Sequence, residues 1–92
     1  MSEMRFQWDL AKAHGNLRKH GVDFADAVGA FEDSRALTIP DPHGGEERFL
    51  TMGMDLTERL LVVSWAWRGD DIRVISGRRA APRERRQYHE EG

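Results

Sequence analysis

The stretch LLVVSWAW, Leu60 to Trp67, is the longest apolar run in the chain. It falls far short of the roughly 20 residues that a membrane-spanning helix needs, and the polar connections DLTE and RGDD bound it on either side. An apolar run of this length between turn signals reads as a strand covered on both faces. Such a strand needs neighbours in its sheet and a layer, or a partner, over each side. Arg48 to Met54 and Ile72 to Gly77 supply the neighbours, joined to it by short antiparallel hairpins, with Gly69 suited to positive φ. ALTIP reads as a short edge strand ended by Pro40, and DPHGG, Asp41 to Gly45, as a turn.

The covering layers come from three helical segments. After a short extended lead-in, FQWDL, Asp9 is placed to cap a helix over Leu10 to His20, with Leu10, Ala13 and Leu17 on one face and Gly21 as a left-handed stop. Gly15 costs that helix about 1 kcal/mol relative to alanine, so it needs packing support. Asp23 caps a second helix, in which Phe24, Ala27, Val28 and Phe31 form a core-facing stripe. Pro82 opens a third, to Glu91, although Ala81 before it offers no capping side chain. That last helix is polar nearly all round and must be held by docking on the sheet or on a partner. The expected architecture is α+β: two N-terminal helices, an antiparallel sheet of about four strands and a C-terminal helix, in one domain over residues 1–92.

The 92 residues include no cysteine, which excludes a disulfide scaffold and suits a reducing cytoplasm. The opening MSEMRFQWDL has none of the apolar length of a signal peptide. A cytoplasmic protein with no membrane role is expected. The net charge of −2 hides an asymmetry. Residues 1–72 carry 8 Lys/Arg and 13 Asp/Glu, a net −5, whereas residues 73–92 carry 6 Arg and 3 Glu, a net +3. Local potential, rather than net charge, attracts a charged partner, and the planar arginine fork suits phosphate or carboxylate.

The basic block is SGRRAAPRERRQYH, Ser76 to His89. Strand alternation places Arg73, Ile75, Gly77 and Arg79 on one face and Ile72, Val74, Ser76 and Arg78 on the other. On the following helix Arg83 and Arg86 share one side, with Arg85 on another. Gly77 beside them would let a ligand approach closely. Phosphate binding is one reading; a solvated face whose arginines pair with Glu84, Glu90 and Glu91 is the other. Lys19 and His20 end the first helix, where they can bind phosphate and move protons, or merely complement the helix dipole. Glu84 and Tyr88, at i and i+4, share a helix face, as proton-transfer groups or as a charge balance and a docking ring. Trp65 and Trp67 share a strand face, for core packing or for stacking on bases or a partner helix. His43, Glu46 and Glu47 have ligand chemistry without metal-site spacing, so neither metal nor cofactor is expected.

Three stretches, FQWDLAKAHGNLRKHGVDF, ERFLTMG and IRVISGRRAAPRERRQYHE, resemble the BrnT family of toxins from bacterial type II toxin–antitoxin pairs. The resemblance runs from Phe6 to about Glu90 and rests on W-D-x-x-K-A, N-L-x-K-H-G-V-x-F, I-S-x-R and E-R-x-x-Y in that order. It implies a RelE-like ribonuclease fold, RNA as substrate, and arrest of translation and growth. The implied partner is a ribbon-helix-helix antitoxin, joined in a heterotetramer that represses its own operon, so that DNA is met only through the antitoxin. The motif positions carried over as catalytic candidates are Lys19, His20, Arg78, Glu84, Arg85 and Tyr88. Arg73, Arg79, Arg83 and Arg86 are then RNA-binding charge. The chain departs from the family pattern at Ala81, where a small capping side chain is usual, and at Trp67, where a smaller or polar residue is expected. Metal-independent RNA cleavage fits this inventory of base, acid and cations. The alternative is a non-catalytic nucleic-acid-binding or protein-interaction module built on the same arginines.

Overall fold

A computed structural model describes residues 4–43 and 47–91. Gly44 and Gly45 of the expected turn, and Glu46 of the considered metal ligands, lie outside the described residues. In chain order the elements are β1 (Phe6–Gln7), α1 (Leu10–His20), α2 (Phe24–Ala27), a 3-10 helix (Val28–Glu32), β2 (Leu37–Pro40), β3 (Phe49–Met54), β4 (Leu60–Arg68), β5 (Asp71–Arg79) and α3 (Pro82–Glu91). Among the described residues no helix is long and apolar enough to cross a membrane.

One sheet carries all five strands in the order β1-β5-β4-β3-β2. The α+β class therefore holds, with five strands and a mostly antiparallel sheet. The added strand is the lead-in itself. Phe6 and Gln7 pair in parallel with Ile72 and Arg73, and Arg5 ion-pairs with Asp71. Two residues are too few to show alternation, and their partner lies more than 60 positions away.

β4 is central and buried from Leu60 to Ala66. On one face Leu61 and Val63, with Val74 of β5, pack under Val22, Phe24, Ala27 and Ala30. On the other, Leu60, Val62 and Met52 pack under Ala80 and Tyr88 of the C-terminal segment. α1, α2 and the 3-10 helix thus cover one side and α3 covers the other, so the apolar run is sealed within the chain from Leu60 to Ala66 and leaves Trp67 exposed at its end.

Capping follows the expected residues. Asp9 accepts from the Lys12 N–H at 2.9 Å, Asp23 accepts from the Ala25 N–H at 3.0 Å, and Gly21 ends α1 at φ 70°. The two-residue turn from β4 to β5 places Gly69 at φ 62°. The core stripe of α1 differs from expectation. Leu10 and Leu17 are exposed, while Ala13 and the buried Asn16 face the sheet. Asn16 wins the inward position because its amide donates to the carbonyls of Val22 and Gly77 and accepts from the Gly77 N–H. The second helix is a single α turn that tightens into the 3-10 helix. That segment lies directly on β3, where a Cβ at Gly53 would sit 2.6 Å from the Ala30 carbonyl oxygen.

Candidate phosphate-binding site

The arginine strand does not alternate simply. β5 pairs Ser76 with Ser64 and then Val74 with Trp65, leaving Ile75 as an extra residue. A bulge of this kind reverses which residues share a face beyond it. Cross-strand partners lie on one face, so Arg78, Ser76 and Arg73 now lie together, opposite Val62, Ser64 and Ala66. Ile72, Val74, Gly77 and Arg79 take the helix-covered face. This corrects the expectation that Arg73 shares a face with Gly77 and Arg79. Gly77 is corrected as well: it is buried, its peptide groups are bonded to Asn16, and Val22 and Ala27 pack against it. Its small size admits α1 and α2 rather than a ligand.

At the end of β5 Arg78 forms a two-pronged ion pair with Glu84, Nη1 to Oε1 at 2.8 Å and Nη2 to Oε2 at 2.9 Å. Glu84 Oε1 also accepts the Ala81 N–H at 2.8 Å. Glu84 is the third residue of α3, so its carboxylate reaches back over the helix start as in half a capping box. The Ala81 N–H is thereby satisfied from inside the helix, although Ala81 itself offers no side chain to the first-turn N–H groups. The hydrogen bonds from Arg78 hold Glu84 below the usual carboxylate range, outweighing its partial burial, and hold the guanidinium above its own ordinary value. Arg78 nevertheless leaves 43 % of its side chain exposed.

The flanking arginines behave differently. Arg79, Arg83, Arg85 and Arg86 are exposed, and among the described residues none forms an ion pair. Glu84 is taken by Arg78 and Glu90 pairs with none of these arginines; the side chain of Glu91, the third acid considered, lies outside the described residues. Arg73, half-buried, lies further along the Arg78 face.

Tyr88 is 3 % exposed and donates its hydroxyl to Asp33 Oδ2 at 2.5 Å. Burial, with the nearby Asp33 carboxylate, raises the phenol above its ordinary value. Asp33 was not among the candidates from the sequence. Burial pushes it up, but donors from Tyr88 and from the Met54 and Arg35 backbone, with the Arg35 charge, bring it below the usual range. Its signal was only a solvent-type residue after a helix, which many loops share.

Lys19 and His20 make no hydrogen bond or ion pair with the arginine segment among the described residues. They do lie at the same end of the sheet. Arg59 Nη1 donates to the Gly21 carbonyl at 3.0 Å, which holds the end of α1 beside the start of β4. There Leu60 accepts from the Ala80 N–H and Leu61 pairs with Arg79. α1 covers the opposite face from Arg78, and β1 lines the outer edge of β5 only at Ile72 and Arg73. No group of three or more metal-ligating side chains occurs among the described residues.

With this geometry, the chain from residue 8 to residue 84 matches the family model described as the ribonuclease toxin, BrnT, of type II toxin–antitoxin systems. The fold is similar to the crystal structure of the ribonuclease toxin BrnT from Brucella abortus. The TM-score is 0.68 at 28 % identity, covering 86 % of this chain and 99 % of that one. A search of curated protein sequences finds no match.

Proposed function

This chain belongs to the BrnT ribonuclease toxins of type II toxin–antitoxin systems, and from that premise we propose that it cleaves RNA without a metal ion, at the Arg78 end of β5. The observation that carries the reading is the cluster of four exposed arginines around the Arg78–Glu84 pair, none of which has an acidic partner among the described residues. A polyanion is the partner such a surface fits.

In the proposed reaction a base takes the ribose 2′-hydroxyl proton and the oxygen attacks the adjacent phosphorus. The 5′-oxygen leaves with a proton from an acid, giving a 2′,3′-cyclic phosphate and a 5′-hydroxyl end. Arg78 stabilises the extra negative charge of the phosphorane-like transition state. Glu84 acts as a positioning residue. Its carboxylate is held ionised and engaged by Arg78, which suits a fixed clamp better than a base poised near neutrality. Of the motif residues, His20 is then the base that takes the 2′-hydroxyl proton, with Lys19 as a phosphate ligand, and a solvent water protonates the leaving 5′-oxygen. Arg85, with Arg79, Arg83 and Arg86, tracks the RNA backbone, and Tyr88 seats α3. A cognate antitoxin follows from the family. We further assign it a ribbon-helix-helix DNA-binding part, a heterotetrameric complex that represses the operon, and neutralisation by covering the arginine surface.

Incubation of purified protein with RNA in EDTA tests the reading. Cleavage is expected, with Arg78→Ala slower by about 10²–10³-fold. A mobility shift without cleavage would instead establish a nucleic-acid-binding module, and an Arg78→Ala protein of wild-type rate would remove Arg78 from the chemistry.

A further inference from the structure

α3 closes on the sheet through Ala80 and Tyr88, which pack over Met52, Leu60 and Val62. That face is five strands wide, about 19 Å, and follows β4 for nine residues, about 30 Å. One helix, roughly 10–12 Å across with its side chains, covers only part of it. What α3 leaves open divides by chemistry. On the β5 side the face carries Arg78, Ser76 and Arg73, paired with Val62, Ser64 and Ala66. On the β2–β3 side it is apolar. There Leu37 and Ile39 of β2 pair with Met52 and Leu50 of β3, which pair in turn with Val62 and Ser64 of β4.

Leu37, Ile39, Leu50, Met52 and Val62 line a groove of about 60 Å³, walled by Glu84 and Gln87 of α3. A space of that size holds about four water molecules, as many heavy atoms as one leucine side chain. Ile39, on the outermost strand, is 53 % exposed. The flank of α3 beside the groove is basic. Glu84 has its charge matched by Arg78. Arg83, one turn before Gln87 on the same side, is exposed and has no ion pair among the described residues.

These features choose between occupants. RNA gains nothing from an aliphatic floor: single strands stack on aromatic rings, and none lines this groove. A second copy of this chain in a two-fold contact would set the arginine flank of each α3 against that of the other, a like-charge contact that opposes association. An amphipathic helix with apolar anchors and an acidic flank satisfies both the floor and the arginines.

We propose that this groove receives an amphipathic helix of the cognate antitoxin, an inference that rests on the reading above that the antitoxin covers the arginine surface. The helix lies alongside α3 and extends the layer on that face. One aliphatic anchor enters the groove, a second at i+3 or i+4 covers Ile39, and Asp or Glu on the flank pairs with Arg83. The apolar contact holds the two proteins together, and the acidic flank competes with RNA for the arginines.

The test uses the purified full chain and its cognate antitoxin, with binding measured by calorimetry in the absence of RNA and circular dichroism to establish that each variant is folded. Ile39→Asp is expected to weaken binding about tenfold to 100-fold, from the loss of one buried aliphatic side chain, and Ile39→Val to keep most of the affinity. Leu10→Asp, at a leucine exposed on α1 across the sheet, should bind as the wild type. Arg83→Glu should weaken binding about fivefold at low salt and less at high salt. Wild-type affinity in folded Ile39→Asp, or an equal loss in Leu10→Asp, overturns the groove. A dimer of the chain alone that Ile39→Asp dissolves, seen by sedimentation, overturns it in favour of a second copy. Wild-type affinity in Arg83→Glu, with Ile39→Asp weakened, overturns the acidic flank and the reading that the antitoxin covers the arginines, but not the groove. The two can therefore fail separately.

Discussion

Glu84 contacts two partners at once, the Arg78 guanidinium and the Ala81 N–H. A carboxylate so engaged is a clamp, and replacing it separates clamp from base. Glu84→Gln keeps the shape but loses the charge-assisted pair, which is worth about 1.5–3 kcal/mol where hydrogen bonds involve charged groups. Cleavage is expected to slow roughly tenfold with the ascending limb of the pH–rate profile retained. A variant whose ascending limb disappears would reinstate Glu84 as the base. Tyr88 makes a parallel case for stability. Tyr88→Phe removes the hydroxyl that reaches Asp33 and should cost about 1–2 kcal/mol in urea denaturation. The i, i+4 relation of Glu84 and Tyr88 was legible in the sequence, and so was the engagement of Glu84 with a nearby arginine. The partner of Tyr88 was not, because Asp33 lies 55 residues away and carries no motif.

At the scale of elements, legibility followed how local the cause was. Caps at Asp9, Asp23 and Gly21, the turn at Gly69 and the start of α3 at Pro82 were all readable, since each depends on a residue and its neighbours. The inward face of α1 was not, because Asn16 displaces Leu10 and Leu17 by bonding to Gly77, 61 residues on. Nor was the bulge at Ile75, which exists only as a mismatch with β4. Two glycines test this account of packing. At Gly53 a Cβ would meet the Ala30 carbonyl oxygen at 2.6 Å and Ala36 Cβ at 3.2 Å, so Gly53→Ala should cost about 1–3 kcal/mol. At Gly77 the nearest atom is Val22 Cγ1 at 3.4 Å, an ordinary contact. Gly77→Ala should cost less than about 1 kcal/mol, since it adds one methyl group without backbone collision. Equal losses of stability in the two variants, measured by thermal denaturation, would contradict the packing described.

Across the whole molecule three carboxylates join parts of the chain that the sequence keeps apart. Asp55 binds Arg59, which reaches on to the Gly21 carbonyl and ties the β3–β4 connection to the end of α1. Asp33 receives Tyr88 and joins the segment after the 3-10 helix to α3. Glu84 joins α3 to β5 through Arg78. Burial raises the pKa of Asp33 and Asp55, but their hydrogen bonds outweigh it, and all three groups end below their ordinary values. A carboxyl whose folded pKa is depressed adds stability above its unfolded pKa and loses it as pH falls through the folded value. With ordinary values of 3.8 for aspartate and 4.5 for glutamate, this stabilisation is present near neutrality, starts to decline as pH falls through that range and is lost in stronger acid. Tyr88 acts at the other end of the scale. Its raised pKa contributes below its ordinary 10.0 and is lost as pH rises through the folded value. Urea midpoints measured against pH should therefore form a plateau through neutrality with a fall on each side. In Asp55→Asn the acid fall should be shallower, because one linked proton is gone, and the plateau lower, because Arg59 loses a fully buried partner. An acid fall of unchanged steepness in that variant would show that Asp55 is not among the groups that link stability to pH.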